Sequence, residues 1–507
     1  MSAAGATGGQ RATSSARPLR VLPVVALIAA LALLPGCGGS SEAATPRPAI
    51  AIGGLVGTFD PAERFYVAEC KHDETTVDVD SPLAVAVGDR PPRAGSYSVQ
   101  VPVEPDADFK IKITDDGEEL GYVIRCLPYD FPQWSYQEIR KPPEGLFAVT
   151  VPGSRLRSWA IVFDERGIPR WWYPTPSNVL GAQILHDGTV AWSRSFGDGY
   201  GIDPRMAHEV HTLDGRLLRL IRTVGSITDA HELFSLPGGH VFVNTYKPEG
   251  PVDLRLYDLP GQQGPPDGYA VYGEVQELDE DGNLVWRWNS GDHVALGAVP
   301  MRWQDSIVSN PKPSPNGAGT YDVFHLNSIE PWGDQVIISS RHTDAIFGID
   351  KATGKTRWKL GGTPTEESLE IIGDPAGSQP FGGQHDARMS ENGILSVFDN
   401  SKDRPRPPRL VRYKIDLEAG TATYLSELTD PAVPISHCCG SARALGDDGW
   451  LVYWGDTLTI TQFDDEGRIA SRLLLRGPSF RAIPVPEGAV TVAEFNRALE
   501  AQERVGS

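Results

Sequence analysis

The amino-acid sequence predicts an all-β protein, a six-bladed β-propeller preceded by a small β-sandwich domain. Glycine (54) and proline (42) are both abundant and stretches of helical periodicity are scarce, which is typical of many short strands joined by turns. The chain has 507 residues, more than the roughly 100–200 of one ordinary domain, so we expect one large domain and one smaller domain. A turn that recurs six times, described below, predicts the number of blades.

The first residues have the layout of an export signal. Arg11, Arg17 and Arg20 precede an apolar run from Val21 to Leu34. This run is shorter than the ~20 apolar residues of a transmembrane helix, so residues 1–37 are predicted to be a signal peptide. An exported protein is therefore expected.

Cys37 stands where the lipobox cysteine of a bacterial lipoprotein stands, although Pro35 is unusual there. The sequence predicts a lipid anchor at Cys37 that holds the protein on the outer side of the cell membrane, with residues 38–47 as a flexible tether. The alternative is an ordinary cleaved signal with an incidental cysteine.

Residues 48–143 are predicted to form the N-terminal β-sandwich, because short alternating segments such as 96–103 and 109–113 are separated by turns. Four cysteines remain after Cys37, and an oxidising compartment would permit two disulfides. Cys70 and Cys126 are expected to pair within this domain. Cys438 and Cys439 are adjacent and either form a strained vicinal disulfide or stay as thiols.

Residues 144–480 contain a repeated unit in which a strand ends in Asp, a turn ends in Gly, and the next strand often carries Trp. In such a turn the Asp accepts backbone hydrogen bonds and the Gly supplies a positive φ. The six copies span residues 163–167, 213–215, 278–282, 349–354, 415–420 and 463–467. Repeated four-stranded blades closed around an axis remove open sheet edges, so a six-bladed propeller follows.

The C-terminal residues 481–507 are predicted to be a helical tail on the outside of the propeller. Val492, Phe495 and Leu499 recur at helical spacing.

The net charge of −20 and the pI near 5.0 exclude a nucleic-acid partner, because binding to phosphate backbones requires a basic face. Acidity of this kind is typical of a soluble surface outside the cell.

Polar residues stand where the loops enter the inner strands of several blades, and these loops converge on the channel of a propeller. The segments are Asp229-Ala-His231, Phe324-His-Leu-Asn-Ser-Ile329, Ile338-Ser-Ser-Arg-His342 and Gln384-His-Asp-Ala387.

Together with Trp358-Lys-Leu-Gly-Gly362, Phe398-Asp-Asn400 and Gly440-Ser-Ala442, these segments resemble the arylsulfotransferase family in order and spacing over most of residues 145–475. The resemblance, closest to a divergent bacterial and fungal branch, implies transfer of a sulfuryl group from an aryl sulfate to a phenol without PAPS, by a ping-pong mechanism through a sulfohistidine. It implies His385 as the nucleophile, His231, His325 and Arg341 as catalytic partners, and Asn327 with Arg341 as substrate-binding residues.

The chemistry of these side chains is consistent with that transfer. Arg341 and Asn327 can hold the anionic sulfuryl oxygens, so no metal and no cofactor are expected. A neutral imidazole is a competent nucleophile, and either His231 or His325 can protonate the leaving phenolate.

Each of these residues also has a structural interpretation. His385 can line a channel, His231 and His325 can support strand ends, and Arg341 can pair with Asp322 or Asp386. His342 follows Arg341 on a predicted strand and is expected to point the opposite way.

Three other functions compete with sulfotransfer. One is a non-catalytic propeller that binds a ligand or a partner. Another is a quinoprotein-like oxidoreductase, suggested by the segment 349–358 and by Cys438-Cys439, although no set of calcium ligands accompanies it. A cluster of histidines can also hold zinc, which the nearby Arg341 disfavours.

Overall fold

The structure is a computed structural model that describes residues 48–71, 73–152, 157–176, 178–196, 203–313, 319–447 and 449–502. The predicted signal peptide, Cys37 and the whole predicted tether, residues 38–47, lie outside these ranges. Within them both α-helices, of 9 and 10 residues, fall short of the length and apolarity that a membrane crossing requires.

The N-terminal part is one six-stranded sheet. Its strands are β1 (Ala49–Ile52), β2 (Phe65–Ala68), β3 (Glu74–Val87), β4 (Arg93–Pro102), β5 (Asp108–Asp115) and β6 (Glu118–Cys126). One edge of β3 pairs with β4, while the other edge pairs first with β1 and then with β5. The long strand β3 therefore joins all the strands of the predicted sandwich into one continuous sheet. Cys70 and Cys126 form the expected disulfide bond.

The described residues after the N-terminal part form six sheets of at least four strands each, in chain order. After β7 (Trp134–Glu138), the first sheet contains β8 (Phe147–Pro152), β9 (Arg157–Phe163) and β10 (Pro169–Pro176). The second contains β11 (Val179–Ile184), β12 (Val190–Arg194), β13 (Ala207–His211) and β14 (Leu217–Ile221).

The third sheet is elaborated by an insertion. Its main strands are β15 (Thr228–Ser235), β16 (Val241–Val252), β19 (Gly268–Leu278) and β20 (Leu284–Asn289), with the short hairpin of β17 (Asp258–Leu259) and β18 (Gln262–Gln263) between them. The insertion comprises α1 (Met301–Ser309), β21 (Lys312–Pro313) and β22 (Gly319–Asp322).

The last three sheets follow without such an insertion. The fourth contains β23 (Leu326–Trp332), β24 (Gln335–Ser340), β25 (Ala345–Asp350) and β26 (Thr356–Gly361). The fifth contains β27 (Glu370–Ile372), β28 (His385–Met389), β29 (Ile394–Asp399), β30 (Arg409–Asp416) and β31 (Thr421–Leu428). The sixth contains β32 (Ser441–Leu445), β33 (Gly449–Tyr453), β34 (Thr459–Phe463) and β35 (Ile469–Leu475), and β7 pairs with its outer strand.

A late strand, β36 (Ala482–Pro484), pairs with β8 and completes the first sheet. The innermost strands contact one another in the order β36, β11, β15, β23, β28 and β32, and β32 contacts β36 again. These contacts form a ring, and the predicted β-propeller class is confirmed. The predicted helical tail is wrong for residues 482–484, because the alternating pattern of a three-residue strand is too short to recognise; α2 (Val492–Ala501) contains the expected helical residues.

The repeated turns connect neighbouring sheets as well as strands. Asp164 accepts hydrogen bonds from the backbone N–H groups of Arg166 and Ile168, and Gly167 has φ +69°. The indole N–H of Trp171 donates to the Leu213 carbonyl in the next turn at 2.9 Å. Trp286 makes the equivalent bond to Lys351 at 2.8 Å, so the repeat tryptophans tie one sheet to the next.

The N-terminal part contacts the propeller directly. The described residues from 48 to 502 cluster as one unit, and Glu63 of the N-terminal part accepts a hydrogen bond from Arg166 of the first propeller sheet at 2.9 Å. The domain boundary near residue 143 stays a prediction.

Candidate active site

The inner strands of three consecutive sheets bring the predicted histidines to one site. His231 lies on β15, His325 immediately precedes β23, and His385 is the first residue of β28. Each of these strands has a shift of register at this point. Such bulges redirect side chains. His325, which directly precedes the shift in β23, has φ +52°.

His385 is buried and is held from both sides. Its Nδ1 lies 2.7 Å from Oδ1 of Asn400, and its Nε2 accepts a hydrogen bond of 3.2 Å from the backbone N–H of Cys439. The Asn400 amide nitrogen donates to the Cys439 carbonyl at 3.1 Å, which fixes Oδ1 as the atom that faces His385. Nδ1 of His385 therefore carries the hydrogen and Nε2 carries the lone pair.

The pKa of His385 lies well below its ordinary value. Burial is the main cause, and the positive charge of Arg341 lowers the pKa further. His385 is consequently neutral at physiological pH, with its nucleophilic nitrogen unprotonated.

His231 has the opposite protonation preference. Its Nδ1 lies 2.6 Å from Oδ1 of Asp229, which also accepts a hydrogen bond from Asn244. Burial lowers the pKa of His231, but the charge and the hydrogen bond of Asp229 outweigh it, so the net pKa is raised. His231 thus keeps its proton where His385 does not.

His325 lies between the imidazoles of His231 and His342. Its ring is 5.1 Å from His231 and 4.7 Å from His342, and its Nδ1 lies 2.5 Å from Oδ2 of Asp322. Burial lowers the pKa of His325 and raises that of Asp322, so this pair carries less charge than the pair of His231 and Asp229.

The predicted opposite orientation of Arg341 and His342 is wrong. The two residues lie in a 3-10 turn, Arg341–Thr343, where the alternation of a strand does not hold. Nη1 of Arg341 donates to Nε2 of His342 at 3.0 Å, and both side chains contact the Trp303 ring.

Arg341 pairs with neither Asp322 nor Asp386, the two partners considered from the sequence. Its guanidinium stacks over Trp303 at 4.4 Å and its Nη2 donates to the His437 carbonyl at 3.0 Å. Its charge is therefore available to the imidazoles and to an anionic substrate.

Asn327 is fully buried on β23. Its Nδ2 donates to the Gln384 carbonyl at 2.8 Å, directly before His385, while its Oδ1 has no hydrogen-bond partner among the residues that the structure describes. Asn327 thus ties the β23 strand to the strand of the nucleophile.

A layer of buried charges lies next to the histidines and joins several inner strands. Glu232 pairs with Arg388 at 2.7 Å and with Arg481 at 2.8 Å. Asp386 pairs with Arg388 and with Arg443, each at 2.7 Å. These arginines outweigh the desolvation of Asp386 and hold its pKa far below the ordinary range. We refer to these five residues as the charged layer.

The described residues contain one group with the arrangement of a metal site, formed by Asp322, His325 and His342, whose ligand atoms lie within 4.8 Å of one another. Arg341 already donates to His342 in this group and places a positive charge beside it. The donor set therefore fits a cation poorly.

Several residues of the site were not recognised in the sequence. Asn400 lay within a recognised motif, but its role required the fold. Trp303, Arg481 and His437 come from α1 and from connecting segments, and no periodicity or motif marked them.

The fold and the site together define a β-propeller with a cluster of buried imidazoles and an arginine at the ends of its inner strands. Residues 181–474, more than half of the chain, match the family described as Arylsulfotransferase (ASST). The chain belongs to the arylsulfotransferase family. No curated protein matches it.

Solved structures with similar folds are distant in sequence. A protein of unknown function from Bacteroides caccae is 12% identical with a TM-score of 0.39, covering 68% of this chain and 100% of its own. Virginiamycin B lyase from Staphylococcus aureus is 12% identical with a TM-score of 0.33, covering 71% and 91%. The β-propeller domain of Cps50 from Myceliophteria thermophila is 12% identical with a TM-score of 0.34, covering 69% and 90%. These likenesses carry no functional information.

Proposed function

We propose that this protein transfers a sulfuryl group from a phenolic sulfate ester to a phenol by a ping-pong mechanism through a sulfohistidine at Nε2 of His385. The observation that supports this most is the tautomer of His385. Asn400 accepts the Nδ1 hydrogen of His385 at 2.7 Å. Burial beside Arg341 lowers the pKa of His385, so its Nε2 is unprotonated and carries a lone pair that can attack.

In the first half-reaction Nε2 of His385 attacks the sulfur atom and the bond between sulfur and the phenolic oxygen breaks. His231, whose pKa is raised, donates its Nε2 proton to the departing phenolate. The environments of the two imidazoles push their pKa values apart, which is the usual signature of a base and an acid in one site.

In the second half-reaction the oxygen of the acceptor phenol attacks the same sulfur, the bond between nitrogen and sulfur breaks, and the phenolic proton returns to His231. Arg341 offers guanidinium donors for the sulfuryl oxygens, whose charge spreads in the transition state. Trp303 holds that guanidinium in place by stacking at 4.4 Å.

The experiment is intact-protein mass spectrometry under non-acidic conditions after brief incubation with 4-nitrophenyl sulfate. We expect the wild type to gain one SO3 group and His385→Ala to gain none while remaining folded. His240→Ala is the matched control, since His240 pairs with Glu277 outside the site, and it should still gain the adduct. An equal adduct on His385→Ala, or none on the wild type, would reject the proposal.

We also propose that the protein is exported and held on the membrane by a lipid on Cys37, on the basis of the leader described above. Membrane fractionation of cells that express the wild type or Cys37→Ser tests this anchor. Retention of both proteins in the membrane fraction would contradict it.

A further inference from the structure

We propose that Cys438 and Cys439 form a redox-modification site that reacts with low-molecular-weight disulfides, and that its oxidation exposes the lone pair of His385. The second part rests on the proposed function. The first part concerns the two thiols alone.

The two thiols are placed for direct reaction with each other. Both are free and partly exposed, and their sulfur atoms lie 2.7 Å apart. A disulfide has its sulfur atoms about 2.05 Å apart, so ring closure needs only a small further approach. Cys439 has φ +62°, a backbone conformation uncommon for a residue other than glycine.

The surroundings make Cys438 the attacking group. The hydrogen bond from the Cys439 thiol lowers the pKa of Cys438. The charges of Arg341 and His437 act in the same direction, against burial and the negative charge of Asp456. The Cys438 thiolate attacks one sulfur of the external disulfide and releases one thiolate.

Cys439 completes the reaction. Its thiol loses a proton and attacks the Cys438 sulfur, and the mixed disulfide breaks with release of the second external thiolate. The two protons from the protein thiols finish on the two released thiolates, so one disulfide is formed and one is reduced.

The peptide bond that joins these cysteines is the link to His385. Its N–H, on Cys439, is the group that donates to Nε2 of His385 at 3.2 Å. In the dithiol form this N–H is hydrogen-bonded to the lone pair of His385 Nε2, the same lone pair that attacks sulfur in the proposed mechanism. A vicinal disulfide encloses the same peptide in an eight-membered ring and must turn it out of its relaxed geometry.

The flanking residues keep this movement local. Arg341 donates to the His437 carbonyl at 3.0 Å, and the His437 backbone N–H donates to Asp456 at 2.9 Å. The Gly440 N–H donates to the Phe480 carbonyl at 3.0 Å. Because the segment is fixed at both ends, ring closure is absorbed by the peptide between the cysteines, and its N–H turns away from His385.

The test uses the full chain, fully reduced at Cys438 and Cys439 or oxidised with 2-hydroxyethyl disulfide. Alkylation with iodoacetamide and tryptic mapping of the peptide 415–443 report the state of the two thiols. Stopped-flow release of 4-nitrophenol from 4-nitrophenyl sulfate reports the reactivity of His385. The chemical shift of its Nε2 in protein labelled with 15N-histidine, assigned with His385→Gln, reports the hydrogen bond without any turnover.

We expect the oxidised peptide to lose two hydrogens and to resist alkylation, the Nε2 resonance to shift, and the first burst of nitrophenol to become about fivefold faster, as for the loss of one ordinary hydrogen bond. Cys438→Ser, which cannot close the ring, should show none of these responses to the oxidant.

Alkylation of both thiols after treatment with the oxidant would overturn the modification site. A disulfide with an unchanged resonance, or with an unchanged or slower burst, would overturn the coupling to His385. A disulfide with a shifted resonance but no nitrophenol in either state would uphold the site and reject sulfotransfer instead.

Discussion

At the scale of single residues, the three imidazoles differ in the group that faces Nδ1. An amide oxygen faces His385, a carboxylate faces His231, and a carboxyl of raised pKa faces His325. The sequence left His231 and His325 as equal candidates for the general acid. The structure favours His231 for this proposed role, because of the two imidazoles only His231 has a raised pKa.

This difference predicts how His231→Gln depends on the leaving group. A general acid contributes most when the departing phenolate is strongly basic, so sulfation of the enzyme by phenyl sulfate should slow by about 10²–10⁴-fold. The loss with 4-nitrophenyl sulfate should be much smaller. Single-turnover rates across a series of substituted phenyl sulfates measure this dependence.

The matched control for that series is His325→Gln. The pKa of His325 is lowered, so this imidazole is neutral near neutral pH and has no imidazolium proton to donate. The losses in His325→Gln should therefore be similar for all leaving groups. A uniform loss in His231→Gln and a graded loss in His325→Gln would reverse the assignment.

At the scale of elements, the parts that could be predicted from the sequence are those with a repeated local pattern. The Asp-Gly turns and the motif histidines follow from short-range chemistry. They place His231 and His385 on inner strands and His325 directly before one. The position of His342 could not be predicted, because strand alternation fails once the chain enters a 3-10 turn.

Contacts distant in sequence were also beyond prediction. Arg481 belongs to no repeat, yet it reaches Glu232 across 249 positions of the chain. β36 consists of three residues, and only the edge of β8 makes it a strand.

The pairing of β36 with β8 predicts that two truncations behave differently. A chain that ends at Gly488 lacks only α2 and should fold with a lower melting temperature, because it loses the buried Phe495 and Leu499. Removal of a buried Phe side chain costs about 3–5 kcal/mol. A chain that ends at Arg476 also lacks β36, which leaves the edge of β8 unpaired, and it should unfold without a cooperative transition and aggregate.

Thermal unfolding followed by circular dichroism, with size-exclusion chromatography, checks both chains. If the two truncated proteins have the same melting temperature, the pairing of β36 with β8 contributes little to the stability of the propeller.

At the scale of the whole molecule, the propeller buries charge and neutral imidazoles around one axis. The charged layer joins residues of the third, fifth and sixth sheets through Glu232, Asp386, Arg388 and Arg443, and Arg481 comes from the segment before β36. Removal of one member of such a network leaves a buried charge without its partner. The core of the propeller is therefore specified by charge pairing as well as by apolar packing.

Buried neutral histidines make the stability of the fold depend on pH. The pKa is lowered in His325 and His385, to about 3 in His342 and to about 4 in His208. Below about pH 6.5 the unfolded chain takes up protons at these positions and the native protein does not. These histidines therefore lower the free energy of unfolding as the pH is lowered from 6.5. Burial raises the pKa of Glu330 to about 7, so this carboxyl acts in the opposite direction over the same range and offsets part of the fall.

His208 allows this effect to be isolated, because it is fully buried on β13 and its Nδ1 lies 2.7 Å from the hydroxyl of Ser193, outside the proposed chemistry. Between its folded pKa of about 4 and the ordinary value of 6.5, His208 contributes one proton to the uptake on unfolding. One proton corresponds to a slope of about 1.4 kcal/mol per pH unit. The slope of unfolding free energy against pH should therefore be smaller by about that amount in His208→Gln, whatever constant offset the substitution introduces. Urea titrations at several values between about pH 4.5 and 6 measure both slopes. Parallel slopes would mean that His208 is protonated in the native protein, and the burial that lowers its pKa would then have to be relieved by access of water to β13.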